Sequence, residues 1–296
     1  MAKRFFRRHQ GRGSYDLFSS YRHYLPGWKG TFVLLGLFVA GALLGNLAVL
    51  ALTKVFGNAF AADYGTVISY PIMFIPAMLY ASVQSRLNEH RVKEVSLDAG
   101  SMGGIRHIFV AVTATIALAY IAEPVIELLP PMPEWLEKAM KGLIENTPVW
   151  IALISVSVFA PFFEEWLCRG IILRGLLANR MNPTSAIVVS SAFFALLHMN
   201  PWQAIPAFLL GSLFGYVYYR TGSLKLTMLM HCVNNTTAVA LSKISAFKDA
   251  ESFMDLLSPW AYWCIYAACI VIVVCTIAIF GSYSQPEKES QTYPRQ

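Results

Sequence analysis

Apolar residues run for about twenty positions at a time along most of this chain, and short polar stretches separate the runs. Crossing the hydrocarbon of a bilayer as a helix takes ~20 mostly apolar residues. Eight stretches meet or approach that length: roughly 31–52, 65–84, 105–122, 148–168, 184–198, 203–219, 224–242 and 260–281. The runs are continuous and do not alternate in ten-residue segments, which predicts helices and not a barrel. Pro183, Pro201 and Pro206 punctuate the fifth and sixth stretches, so their bounds are the least defined. The expected fold class is all-α, a polytopic transmembrane helical bundle of about eight spans.

Composition agrees. Hydrophobic residues make up 56% of the 296 positions and charged residues 14%, against ~45–50% and ~25% in soluble chains. So little charge cannot coat soluble domains, which sets aside a disordered tail protein, a nucleic-acid binder and a disulfide scaffold. Cys168, Cys232, Cys264, Cys269 and Cys275 all lie in apolar stretches without a CxxC pair and read as small hydrophobes.

The net charge of +6 matters through its placement. Lys3, Arg4, Arg7, Arg8, Arg12, Arg22 and Lys29 precede the first span. Arg86, Arg91, Lys93 and Arg106 follow the second, whereas the loop after the third carries Glu123, Glu127, Glu134, Glu137 and Glu145 against Lys138 and Lys141. Arg169, Arg174 and Arg180 come after the fourth. By the positive-inside rule both termini are expected in the cytoplasm. The basic N-terminus is too long, and its apolar run too full, for a cleaved signal, so the first span is expected to stay as an anchor. The segment Glu134–Asn146 reads as an amphipathic helix along the outer surface. These readings divide the chain into a basic tail (1–30), N-terminal spans with the outer amphipathic helix (31–147), a polar-bearing core (148–242), a last span (243–281) and a polar tail (282–296).

The core holds residues that a bilayer disfavours. An ionised side chain at mid-membrane costs ~2.5–3.5 kcal/mol on insertion scales, and Glu164, Glu165 and Arg169 occur together in FFEEWLCRGIILRG. Glu165 and Arg169 are i,i+4 neighbours able to pair on one face, while Glu164, ~100° away, points elsewhere. They could instead cap the cytoplasmic end of a span, although GIILRGLL continues the apolar helix beyond them. His198 closes the run FFALLHMNP, as a catalytic or an interfacial residue. His231 and Asn235 share a face in LTMLMHCVNNTTAV and can aim two N–H groups at one oxygen, or bond helix to helix. His9, His23, His90 and His107 fall in the tail or loop and carry no assigned chemistry. Gly211 and Gly215 form a GxxxG read as close helix packing. Trp28, Trp135, Trp150, Trp202 and Trp260 lie near expected interfaces. Two carboxylates, two histidines and an asparagine on three spans supply a general base and oxyanion donors, the needs of peptide-bond hydrolysis.

Here the chain resembles the CPBP family of intramembrane proteases, the CAAX proteases and bacteriocin-processing enzymes also called Abi, which includes the Rce1-type CAAX prenyl endopeptidases. The family's EExxxR is matched by Glu164, Glu165 and Arg169, its FxxxH by Phe194 and His198, and its HxxxN by His231 and Asn235. Arg220 and Gly222 match its arginine–x–glycine turn. The likeness covers roughly 148–242. It implies that Glu164, helped by His198, activates water, that His231 and Asn235 stabilise the oxyanion, and that Glu165 and Arg169 pair in support. The family is also named as metalloproteases, so the resemblance leaves the cofactor as none or a divalent metal, zinc held by Glu164, His198 and His231. The sequence has no HExxH, which favours metal-free chemistry.

No GxSG-like serine elbow and no GxGD aspartate pair is present, so rhomboid-type and aspartyl intramembrane proteases are excluded. A transporter calls for repeat symmetry that is not visible, and a non-catalytic immunity or scaffold protein stays as a further alternative. The implied partners are membrane lipid and a peptide or lipidated protein, not nucleic acid. The sequence says nothing of the oligomeric state.

Overall fold

The structure is a computed structural model that describes residues 18–145, 147–244 and 252–283. The basic residues Lys3 to Arg12, His9, Asn146 and nearly all of the polar tail lie outside the described residues. The described residues form helices joined by loops and turns, with no strand among them.

The helices, in chain order, are α1 (Trp28–Phe56), α2 (Asn58–Asn88), α3 (Gly104–Ile126), α4 (Glu134–Glu145), α5 (Val149–Ala178), α6 (Pro183–Leu196), α7 (Pro201–Thr221), α8 (Leu224–Ser242) and α9 (Pro259–Gly281). Each expected span falls on one of them. The helices overrun the apolar runs at most ends, because a helix continues past the hydrocarbon until a capping residue stops it. Asn182, Asn200, Ser223 and Ser258 each accept a backbone N–H of the first turn at the starts of α6, α7, α8 and α9. Gly222, at φ +67°, ends α7. Among the described residues, α1, α2, α3, α5 and α9 are long and apolar enough to cross a membrane, and α6 is apolar but 14 residues long. This is an integral membrane protein.

The layering follows from which helix hides its surface. The most apolar window of α5 is 61% buried, against 17–33% in the other four long helices. That makes α5 the axis, with α2, α6, α7 and α8 packed around it. α3 and α9 pair behind α7 and α8, and α1 pairs with α2 along its length. The α1–α2 contact depends on Gly41 and Gly45, a small-xxx-small pair that the sequence reading passed over. A Cβ on Gly41 would lie 1.9 Å from the Met73 carbonyl oxygen.

α5 is not wound uniformly. Leu153–Phe159 and Trp166–Leu173 are π-helical, and between them stands one α-helical turn, Ala160–Glu165. Such wide turns free backbone carbonyls and recur at functional sites.

Polar contacts fix the ends of the bundle. Arg174, buried in α5, donates to the carbonyls of Tyr21, Tyr24 and Val95, which holds residues 18–27 and the loop before α3 against the end of α5. Asp98 accepts from the backbone N–H of Leu224 and pairs with Lys225 at 2.9 Å. Arg220 donates to the carbonyls of Phe280, Gly281 and Tyr283 and so caps the C-terminus of α9. That gives the arginine of the expected turn a structural task. α4 packs against the start of α5.

Candidate active site

The α-helical turn of α5 presents its two glutamates in different directions, as adjacent residues on a helix must. Glu164 faces α2, where the Tyr70 hydroxyl donates to its Oε1. Glu165 faces α7 and α8. Arg169 Nη1 donates to Glu165 Oε1 at 2.6 Å, and both residues are fully buried. The sequence reading that placed the cluster at an exposed helix end does not describe this geometry.

A buried ion pair must recover the cost of leaving water through good geometry and further hydrogen bonds. Arg169 has them. Its Nη2 donates to the Gly211 carbonyl at 2.8 Å, and its guanidinium carbon lies 4.5 Å from the Phe194 ring centroid and 5.6 Å from that of Phe214. Gly211 is therefore more than a packing glycine. A Cβ there would come within 3.0 Å of both Arg169 Nη2 and Phe194. Gly215, one turn on, meets Ile187 and does serve simple packing.

His231 enters from α8. Its Nδ1 lies 3.1 Å from Glu165 Oε1 and its Nε2 lies 3.9 Å from Glu164 Oε2. Glu165 Oε1 pairs with Arg169, so the Nδ1 contact is assigned as an N–H donated to that oxygen. That leaves Nε2 turned toward Glu164. Glu164 Oε2 is itself buried and receives no hydrogen bond from the protein.

His198 follows the end of α6, where the chain turns through Met199 at φ +54°. Its Nδ1 donates to the Phe194 carbonyl at 3.0 Å, which leaves Nε2 as an acceptor. Asn200, the cap of α7, donates to the His198 carbonyl and steadies the turn. No direct contact joins His198 to either glutamate. Instead the Phe194 ring stands between the imidazoles, 5.3 Å from that of His198 and 5.4 Å from that of His231. The phenylalanine of FxxxH is thus a wall shared by both histidines and Arg169.

Asn235 is one turn beyond His231. Its Nδ2 donates to the Val156 carbonyl in the first π-helical stretch at 2.7 Å, and its Oδ1 accepts from Asn234. One amide N–H thereby holds α8 to α5.

Contacts therefore link Glu164, Glu165, Arg169 and His231, and the Phe194 ring joins His198 to them, whereas Asn235 contacts Val156 and Asn234. Tyr70 is a member of the cluster that the sequence reading missed. It lies in an N-terminal span with no recognisable motif, so only tertiary contact could reveal it. The set does not fit a zinc ion: among the described residues no group of three His, Cys, Asp or Glu side chains is placed to hold a metal. Glu164 and His231 approach each other, but His198 does not complete a ligand set.

Comparison of the chain with curated proteins and with solved structures gave no match. A family model described as type II CAAX prenyl endopeptidase Rce1-like matches residues 146–237. This is the stretch that contains Glu164, Glu165, Arg169, Phe194, His198, His231 and Asn235, and over it the chain is similar to Rce1-like type II CAAX prenyl endopeptidases.

Proposed function

We propose that this protein is an intramembrane endopeptidase that hydrolyses a peptide bond of a membrane-tethered substrate with a glutamate-activated water. The observation that carries the reading is the pairing of Glu164 Oε2, buried and without a donor, with His231 Nε2 at 3.9 Å. Atoms this far apart both lie within hydrogen-bond reach, ~2.8 Å, of a single water.

In the proposed reaction that water gives a proton to Glu164 Oε2 as its oxygen bonds to the scissile carbonyl carbon. Negative charge then develops on the carbonyl oxygen. His231, when protonated, and the second amide N–H of Asn235 donate to it. Glu165 balances the charge of that imidazolium, just as it balances Arg169. The C–N bond breaks as the departing amine takes the proton back from Glu164, with His198 Nε2 assisting the transfer. Two catalytic pairs thus share one turn of α5: a base that takes the proton and a carboxylate that orients a donor.

The substrate reading follows the family: a prenylated C-terminal CAAX peptide is the first class to test, and a bacteriocin-type leader the second. Both termini in the cytoplasm would put the polar end of α5 on the side where a lipidated cytoplasmic tail arrives.

The test uses purified full-length protein in lipid nanodiscs with a fluorogenic farnesylated CAAX peptide. A comparison of cellular peptide termini with and without Glu164→Ala extends it to other substrates. Cleavage that disappears in Glu164→Ala and falls sharply in His198→Ala supports the reading. Cleavage that survives Glu164→Ala sinks it. A protein with no termini that depend on Glu164 is instead a non-catalytic binder or a transporter.

A further inference from the structure

The proposed mechanism leaves one feature of the site unused: the tyrosine that comes from outside the family-matched segment. We infer that Tyr70 is a positioning residue that selects which oxygen of Glu164 takes the proton from water, an inference that deepens the hydrolytic reading and rests on it.

A glutamate carboxylate has two equivalent oxygens and rotates between them about a soft terminal torsion. In this site the equivalence is broken. Oε1 accepts the Tyr70 hydroxyl, whereas Oε2 accepts from no protein donor and faces His231 Nε2. Without Tyr70 the group could turn away from His231 or exchange its oxygens, and a water held by both residues would lose one partner for part of the time. Tyr70 makes the arrangement unique.

Tyr70 is itself held from a separate side of the bundle. Its ring centroid is 5.8 Å from that of Phe74, which is buried in α2 and stacks at 5.2 Å on Phe163, the neighbour of Glu164 in α5. The aromatic relay and the hydroxyl therefore join the same two helices at adjacent positions. Ring packing fixes the distance between α2 and α5, and the hydroxyl spends that fixed distance on one oxygen. A purely structural tyrosine would need only the rings. A hydroxyl aimed at a buried carboxylate instead makes a charge-assisted bond that acts on the chemistry of that group.

The experiment is Tyr70→Phe in the full chain in nanodiscs, which keeps the ring contacts and removes only the hydroxyl. Steady-state cleavage of the farnesylated CAAX peptide is expected to show kcat lowered about ten- to hundredfold, the range for losing a hydrogen bond to a charged group, with KM changed less than twofold. In the Glu164→Gln background, adding Tyr70→Phe should lower the residual rate no further. A second measurement needs no turnover: the infrared carboxyl bands of Glu164, identified as those lost in Glu164→Gln, should move in Tyr70→Phe. Wild-type kcat in Tyr70→Phe overturns the proposal, as do unmoved Glu164 bands. If the wild type cleaves neither the peptide nor any cellular substrate found from the peptide termini, the hydrolytic reading is what has failed, and the infrared bands alone decide whether Tyr70 governs Glu164. Tyr70→Leu separates out folding: a variant that loses thermal stability where Tyr70→Phe does not assigns that loss to the ring.

Discussion

His231 stands between the two carboxylates of α5, with Nδ1 3.1 Å from Glu165 Oε1 and Nε2 3.9 Å from Glu164 Oε2. The two ring nitrogens thereby acquire different tasks. The nearer carboxylate fixes the tautomer and the ring plane. The farther one lies opposite Nε2. In the proposed reaction the same nitrogen, Nε2, faces Glu164 in both the neutral and the protonated ring.

Arg169 is the residue whose loss should cost the most stability. Arg169→Met leaves the buried Glu165 carboxylate with His231 but without its arginine, and breaking a buried pair from one side costs ~3–5 kcal/mol. The thermal midpoint in detergent should fall markedly, and Glu165→Gln combined with Arg169→Met should recover part of it. Arg169→Lys should rescue poorly, since a single ammonium cannot span Glu165 Oε1 and the Gly211 carbonyl as the planar fork does. A stable, active Arg169→Met protein would contradict the ion-pair account.

Gly211→Ala and Gly215→Ala should part company although they share one GxxxG. The new methyl at 211 meets the guanidinium and the Phe194 ring at 3.0 Å, and overpacking of this kind costs ~1–3 kcal/mol. It should also reduce activity, because both neighbours border the histidines. The methyl at 215 meets an isoleucine methyl at 3.2 Å, which a small rotation relieves. Parallel melting and peptide-cleavage assays check the difference, and equal effects would remove the role assigned to Gly211.

Asn235→Ala should lower kcat about 10²- to 10³-fold with little change in KM if its second N–H serves the oxyanion. Losing the Val156 bond alone predicts a modest drop of ~1 kcal/mol in stability and no such kinetic signature. Kinetics measured well below the melting temperature distinguish the two.

Gly41→Leu should disrupt the α1–α2 pair, since the backbone of α2 at Met73 leaves no space for a side chain. Loss of crosslinking between cysteines introduced on facing positions of α1 and α2 would report it. A normal crosslinking pattern would show that the two helices do not depend on close approach.

Treatment with a strong chelator should leave peptide cleavage unchanged, in keeping with a site whose three candidate ligands do not converge. Stoichiometric zinc in active protein, with activity lost on its removal and restored by its return, would overturn that expectation.

What the sequence determined by itself is the material that a bilayer selects. Apolar runs of about twenty residues are legible because hydrocarbon demands them over every turn of a spanning helix. The i,i+4 spacing of Glu165 and Arg169 is legible because it is local, and their pairing follows from the helix alone. The motifs at Glu164, His198, His231 and Asn235 were visible as costly exceptions within apolar stretches. Tertiary structure alone decided which surfaces meet. It set Tyr70 against Glu164 across 94 residues, turned Gly211 into the floor beneath a guanidinium, and gave one amide N–H of Asn235 to Val156. Contacts of this kind leave no periodicity in the chain, since a polar atom buried between helices is satisfied by whatever lies opposite it, and what lies opposite is chosen by the packing of the whole bundle.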